Sequence, residues 1–380
     1  MLTKFEVENY KNFKNKIVLD FKNSGGYKFN TDCLHNNIIS KVMIYGRNAS
    51  GKTNFGSAIT DICDYPFFRR GNQTVINADT DDTTAKFKYC FEFNDDAVEY
   101  IYEKDESSHY TKEVLYINKA LIFSIDYINK KNTAGDLAVI SVETIKVDRF
   151  FSFLENKEDD INQTSTPSFL RWIVANSTLE QDSVLNSIVN YIDKMQMVTV
   201  GSLMPLPIRM QYHMLNNYDD DFVKDLEQFF NQMGVECKLV LKVLPEGKQL
   251  YFNHKNPIPF FENASSGTIA LFNLYMRIIR PAKQASLIYL DEFDAFYHYE
   301  MAENILKYFK YNYPKTQIII TTHNTNLMTN RLSRPDCLYI LATYGKLTSL
   351  NNATTRELRE GHNLEKLYIS GEFEKYEWFV

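Results

Sequence analysis

The chain has 380 residues, enough for two or three structural units or for one large unit carrying an insertion. Hydrophobic residues at 44% and charged residues at 24% exclude a disordered, collagen-like or low-complexity polypeptide. Forty-two Lys and Arg against 48 Asp and Glu give a formal net charge of −6 without long runs of like charge, which disfavours a dedicated electrostatic nucleic-acid binder and leaves room only for a local basic patch.

Residues 2–21 alternate apolar and polar positions, with Leu2, Phe5 and Val7, then Ile17, Leu19 and Phe21, on either side of the turn-like stretch 9–15. This predicts a pair of strands. Residues 38–45, Ile-Ile-Ser-Lys-Val-Met-Ile-Tyr, form a mostly apolar run that predicts a buried strand, followed directly by a glycine-containing loop and a helix. From Phe87 to Ile125, short apolar and aromatic segments broken by Asp95-Asp96 and Ser107-Ser108 predict an antiparallel meander.

Between 146 and 236 the spacing becomes helical, as in Phe169 and Ile173, then Val184, Ile188 and Ile192, then Phe222, Leu226 and Phe229. This predicts an inserted helical lobe, with heptads too short-lived for a long coiled coil. Strand-like runs return at 237–243, 286–290, 317–321 and 338–341, with helical segments at 268–279 and 299–311 between them. Such alternation predicts an α/β core. The expected organisation is a discontinuous head, 1–145 and 237–380, interrupted by a helical lobe over 146–236.

The five cysteines, Cys33, Cys63, Cys90, Cys237 and Cys337, are scattered and never form a C-x-x-C pair, which argues against a disulfide framework and a zinc site and suits a reducing cytosol. The first ten residues are polar and charged, and no stretch of eighteen apolar residues occurs, so the expectation is an unexported cytoplasmic protein without membrane contact. Twenty-five Tyr and 27 Phe predict a large, aromatic-packed core.

Gly46-Arg47-Asn48-Ala49-Ser50-Gly51-Lys52-Thr53 satisfies G-x-x-x-x-G-K-[ST] and sits between an apolar strand and a helix, the context that this phosphate-binding loop requires. Its glycines let successive N–H groups and the helix N-terminus point at phosphates, Lys52 supplies a positive charge, and the Thr53 hydroxyl can ligate Mg²⁺. Asn54 follows in the same nucleotide-facing turn. Leu287-Ile288-Tyr289-Leu290-Asp291-Glu292 is an apolar strand ending in two carboxylates, a common pattern that acquires meaning from the P-loop upstream. In that combination Asp291 is expected to hold Mg²⁺ and Glu292 to act as general base toward water.

Asn263-Ala264-Ser265-Ser266-Gly267-Thr268 precedes an apolar helix, where Ser265, Ser266 and Gly267 form either an ordinary N-cap or a second anion site. His323 ends the strand Ile318-Ile319-Ile320-Thr321-Thr322.

The order of these segments, P-loop, S-S-G-T, strand-D-E, strand-T-T-H, resembles that of ABC-type ATPases. Asn9-Tyr10-Lys11-Asn12-Phe13 resembles the N-F-[RK]-[SN]-F segment of the OLD/RecF/SMC-like branch, and Asp291-Glu292-Phe293-Asp294-Ala295 resembles its D-E-h-D-A. The chain is similar to the compact prokaryotic AAA-family ATPases linked to abortive-infection and phage-defence operons. His298 stands where the D-loop Asp usually lies, and Arg334-Pro335-Asp336-Cys337-Leu338 and Leu367-Tyr368-Ile369-Ser370-Gly371 resemble that group's R-x-D-Q-I and Y-L-x-G stretches, with Cys337 in place of Gln. Gln73 is the candidate Q-loop glutamine.

The resemblance implies a P-loop NTPase of ABC/SMC-head type, with a mixed β-sheet, flanking helices, an antiparallel β subdomain and a helical insertion, using ATP and Mg²⁺. It assigns Lys52 to the phosphates, Thr53 and Asp291 to Mg²⁺, Glu292 to water activation, His323 to the γ-phosphate, and Ser265 with Gly267 to the nucleotide of a second protomer, hence a homodimer or an oligomer built from dimers. Only 57 residues follow His323 in this sequence, fewer than the Toprim nuclease domain of OLD-type proteins needs. A separate effector, such as a nuclease or toxin, is therefore the expected partner of an anti-phage sensor or scaffold. The competing expectation is a RecF-like repair ATPase acting on DNA, against which the acidic balance counts.

Overall fold

A computed structural model describes residues 1–63, 76–132, 147–158, 167–179, 182–199, 215–245 and 247–377. Its centre is a six-stranded sheet in the order β11 (Met195–Val198), β15 (Leu287–Leu290), β16 (Gln317–Thr322), β5 (Lys41–Tyr45), β17 (Leu338–Leu341) and β18 (Leu347–Ser349), parallel except for β18 at the edge. Every residue of β5, β15, β16 and β17 is buried. That double-sided burial is why these strands read as continuous apolar runs.

Because side chains alternate along a strand, successive residues feed two different cores. Val42, Ile44, Leu287, Tyr289 and Ile319 enter one, and Met43, Tyr45, Ile288, Leu290, Ile318 and Ile320 enter the other.

The first core is roofed by a seven-stranded antiparallel sheet, ordered β10 (Lys131–Asn132), β9 (Ala120–Asp126), β8 (Tyr110–Ile117), β7 (Asp96–Lys104), β6 (Ala85–Phe93), β1 (Leu2–Glu8) and β2 (Ile17–Asp20). The expected N-terminal strand pair and the 87–125 meander are both there. The aromatic content is concentrated in this layer: Phe87, Tyr89 and Phe91 on β6 face Tyr100 and Tyr102 on β7, with Phe87 stacked on Tyr102 at 4.9 Å between ring centroids. Helix α1 (Lys52–Ile59) lies between the sheets, and α3 (Phe169–Asn176) and α4 (Val184–Asp193) pack into the same core, next to α2 (Val147–Glu158) in the chain.

The second core holds α5 (Asp220–Gln232), α6 (Phe260–Asn263), α7 (Ser266–Leu274) with a following π-turn at Tyr275–Ile279, α8 (Tyr299–Asn312) and α9 (Leu364–Ile369). A small sheet, β12 (Leu239–Leu244), β13 (Gly247–Phe252) and β14 (Ile258–Pro259), precedes α6.

Two expectations change. The 38–45 run is broken at Ser40 into β4 (Ile38–Ile39), which pairs with β3 (Leu34–His35), and β5, because the Ser40 N–H and hydroxyl both bond the Cys33 carbonyl instead of continuing the ladder. The 146–236 segment is not wholly helical. It contains β11, an edge strand of the central sheet, because Met195 and Val198 are buried against β15. Its helices α3, α4 and α5 bury their apolar faces in the two cores of the head.

Candidate active site

The P-loop runs from the end of β5 into α1. Ala49 and Gly51 take left-handed backbone, φ 63° and 98°, which curls the loop around the helix N-terminus. Gly51 admits no side chain: a Cβ there would lie 2.4 Å from Asn12 Nδ2 and 2.8 Å from the Phe13 ring. Asn12 reaches the loop directly, its Nδ2 donating to the Ser50 carbonyl at 3.2 Å and its Oδ1 accepting from Asn54 Nδ2 at 2.7 Å. The N-terminal turn, closed by reciprocal backbone bonds between Tyr10 and Phe13, thus braces the P-loop from behind. The sequence marks that stretch as a turn between two strands and by its likeness to a family segment, without a role at the P-loop. Asn54, expected to face nucleotide, is turned onto this brace.

Lys52 is nearly buried, and its ammonium donates to the carbonyls of Gly46 and Arg47 at 3.0 and 3.1 Å. Burial holds its pKa below the usual lysine value, against the pull of Glu292 and Asp291. Ser50 Oγ is fully buried without a hydrogen-bond partner, a polar atom inside the loop that a phosphate oxygen would satisfy. Arg47, Asn48 and Ala49 are exposed at the rim, where Arg47 Nε lies 3.6 Å from Glu377 Oε2.

Asp291 emerges from β15 and accepts two hydroxyl bonds, from Thr53 Oγ1 at 2.6 Å and from Thr321 Oγ1 at 2.8 Å. Thr53 and Asp291 therefore share one point at the mouth of the P-loop. Two oxygen donors of this kind suit Mg²⁺, which keeps several waters and takes its remaining ligands from phosphates. Among the described residues no group of three or more His, Cys, Asp or Glu side chains is placed to hold a metal ion.

Glu292 takes a left-handed φ of 48°, its N–H donating to Thr321 Oγ1 at 2.7 Å. Its Oε1 lies 3.4 Å from His323 Nε2 at the end of β16, with both side chains partly exposed toward the mouth. Asp294 accepts from Thr322 Oγ1 at 2.8 Å, and burial raises its pKa. Thr321, Thr322 and Asp294 were not singled out as functional from sequence. The signal available was their place beside His323 and in the D-E-F-D segment.

The structure thus brings Lys52, Thr53, Asp291, Glu292 and His323 together. Ser265 lies elsewhere in the hydrogen-bond pattern: it caps α7, its Oγ accepting from Thr268 N at 3.2 Å and bonding Thr268 Oγ1 at 2.9 Å. Ser265 and Ser266 are exposed and Gly267 half-buried. His298 is exposed at the N-cap of α8 and makes no side-chain cap bond. Gln73 lies outside the described residues. Among those described, no helix is long and apolar enough to cross a membrane.

Residues 148–329 match the family model described as "AAA domain, putative AbiEii toxin, Type IV TA system", a span that begins after the P-loop and contains the S-S-G-T, D-E and T-T-H segments. Among solved structures the chain is similar to an Smc head bound to the C-winged helix domain of ScpA, with a TM-score of 0.50 and 14% identity, covering 92% of this chain and 97% of that one. Smc head domains from Thermotoga maritima and Pyrococcus furiosus also align, with TM-scores of 0.43 and 0.47, identities of 15% and 14%, 92% and 98% of this chain covered, and 98% and 99% of theirs. No curated protein sequence matches. The chain accordingly shares the P-loop fold of an Smc head, and its residues 148–329 are similar to the AAA domain that the matched family describes.

Proposed function

We propose that the chain binds and hydrolyses ATP with Mg²⁺, and that it serves as the nucleotide-controlled sensor or scaffold of a prokaryotic abortive-infection system whose nuclease or toxin is a separate chain. The observation that carries the hydrolytic reading is the convergence, beside Lys52, of the 2.6 Å Thr53–Asp291 contact and the 3.4 Å Glu292–His323 contact. Bound Mg²⁺ would neutralise charge on the phosphates. Lys52 exchanges two loop carbonyls for phosphate oxygens, Thr53 and Asp291 hold the metal, Glu292 takes a proton from the attacking water, and His323 orients the γ-phosphate.

The exposed Ser265, Ser266 and the N–H groups opening α7 are offered to the nucleotide of a second copy, so ATP stabilises a closed homodimer and hydrolysis releases it. The outer surface of the 146–236 segment, whose β11 and helices α3, α4 and α5 pack into the head, is the proposed docking region for the effector. A place in a toxin-type system is supported by the description of the matched family as a putative AbiEii toxin of a Type IV TA system. Partner docking is supported by the similar Smc head that was solved with a winged-helix domain of ScpA.

The test is to purify tagged Glu292→Gln protein, which should trap the ATP-bound state, from its native host and identify what accompanies it by mass spectrometry. A stoichiometric nuclease or toxin supports the scaffold role. Nucleic acid alone, released by salt, replaces it with a RecF/SMC-like role on DNA.

A further inference from the structure

Strands β15 and β16 run parallel with Leu290 beside Ile320, so Asp291, the first residue past β15, stands next to Thr321, which is still within β16 and paired with Ile44 of β5. Thr321 is completely buried, and its hydroxyl is engaged twice: it donates to Asp291 Oδ1 at 2.8 Å and accepts from the Glu292 N–H at 2.7 Å. A hydroxyl has one proton and two lone pairs, so both bonds form at once and each has a fixed direction. The following residue repeats the pattern, Thr322 donating to Asp294 Oδ2 and accepting from the Asn324 N–H. Glu292 needs such support, because it is a non-glycine residue held at φ 48°, a conformation that persists only where its surroundings impose it.

We infer that Thr321 is a positioning residue whose single hydroxyl sets the Asp291 carboxylate and the Glu292 backbone together, keeping the metal-holding group and the water-activating group in one geometry. This rests on the hydrolytic reading above. Thr321 itself is completely buried behind these two groups. Its buried oxygen acts by orienting one carboxylate through its proton and the adjacent peptide through its lone pair.

The test compares Thr321→Val, which keeps the shape and removes the hydroxyl, with Thr321→Ser, which keeps the hydroxyl and removes the methyl. For Thr321→Val the expected result is a fall in kcat of about 10–100-fold and a higher half-saturating Mg²⁺, as for the loss of a group that orients a metal ligand, with KM for ATP nearly unchanged. Thr321→Ser should restore both. In nucleotide-free protein, hydrogen exchange of the Glu292 amide should be slow in wild type and Thr321→Ser, and fast in Thr321→Val.

Wild-type kcat and wild-type exchange in Thr321→Val would overturn the inference, as would a loss that Thr321→Ser fails to repair, which would assign the effect to the methyl. If Thr321→Val does not fold, Thr321→Ser against Thr321→Ala isolates the hydroxyl in the same measurements. A wild-type chain that never turns over ATP overturns the hydrolytic reading and the catalytic consequence drawn from it. The exchange measurement then still decides separately whether Thr321 holds the Glu292 backbone.

Discussion

Thr53 Oγ1 donates to Asp291 Oδ2 across 2.6 Å, although 238 residues separate the two in the chain. They meet because α1 is seated directly on β15. Tyr289, one strand position from Leu290, donates its hydroxyl to the Lys52 carbonyl at 2.5 Å, and its ring fills the space where Gly56 lacks a side chain: a Cβ there would come within 2.4 Å of it. One tyrosine under one glycine therefore sets how far the P-loop helix stands from the acidic end of β15.

Gly56→Ala should push α1 away from β15 and part Thr53 from Asp291. A displacement of about 1 Å in a catalytic constellation costs on the order of 10²-fold in rate. Mg²⁺-dependent phosphate release should fall by that order while the folded fraction, followed by circular dichroism, stays high. Tyr289→Phe keeps the ring and should cost far less. Equal losses in the two variants would contradict this account.

If each nucleotide is shared between the P-loop of one copy and the Ser265 turn of another, two differently damaged chains should complement. Lys52→Ala and Ser265→Arg are each expected to lack turnover alone. Mixed, they form a pair with one intact composite site, so ATP hydrolysis should reappear and depend on the mixing ratio. A mixture as inactive as its parts would place the Ser265 turn outside the nucleotide site.

Glu113 is fully buried on β8 and accepts four hydrogen bonds, from the hydroxyls of Tyr100 and Tyr127 and from the N–H groups of Phe169 and Leu170 that open α3. Removing the acceptor strands these donors, at about 1–3 kcal/mol for each one left unsatisfied, so Glu113→Ala should lose several kcal/mol in urea denaturation. Burial raises the pKa of this carboxyl above the ordinary glutamate value, so the folded protein holds the proton more tightly than the unfolded chain. The contribution of Glu113 to stability is therefore greatest in acid. It declines as pH rises from the ordinary value through the raised one and is level above it. Denaturation of wild type and Glu113→Gln across that window should differ by this slope.

Arg334 and Asp336 form a buried bidentate pair, Nε to Oδ1 at 3.0 Å and Nη2 to Oδ2 at 2.5 Å, and the Gly25 N–H donates to the same carboxylate at 2.6 Å. The pair pins the loop before β3 to the entrance of β17, which gives the R-x-D stretch a structural role. Arg334→Ala leaves a buried carboxylate without its cation and should cost about 3–5 kcal/mol. The double variant Arg334→Met, Asp336→Leu removes both charges and should recover much of that loss. A double variant no more stable than Arg334→Ala would show that the carboxylate matters mainly through Gly25.

Much of the site was legible in the chain because its parts are local. A P-loop is encoded by eight consecutive residues whose backbone forms the cradle. A strand ending in Asp291-Glu292, or in Thr321-Thr322-His323, carries its chemistry at its own carboxyl end. The apolar runs at Leu338–Leu341 and Gln317–Thr322 were equally plain, since both of their faces are buried. By contrast, the run 38–45 hid a break at Ser40, and helical spacing over 146–236 masked the four-residue strand β11, too short to show a period of its own.

The sequence by itself determined the P-loop, the acidic and histidine strand ends and the α/β class, because each depends on residue types within a few positions of one another. The tertiary structure decided the brace of Asn12 on Ser50, the seating of α1 on Tyr289 and the double bond of Thr321 to Asp291 and Glu292. Those contacts depend on the strand order β11-β15-β16-β5-β17-β18, which sets residues hundreds of positions apart in register. That order follows from how two cores share the faces of one sheet, and no local stretch of the chain records it.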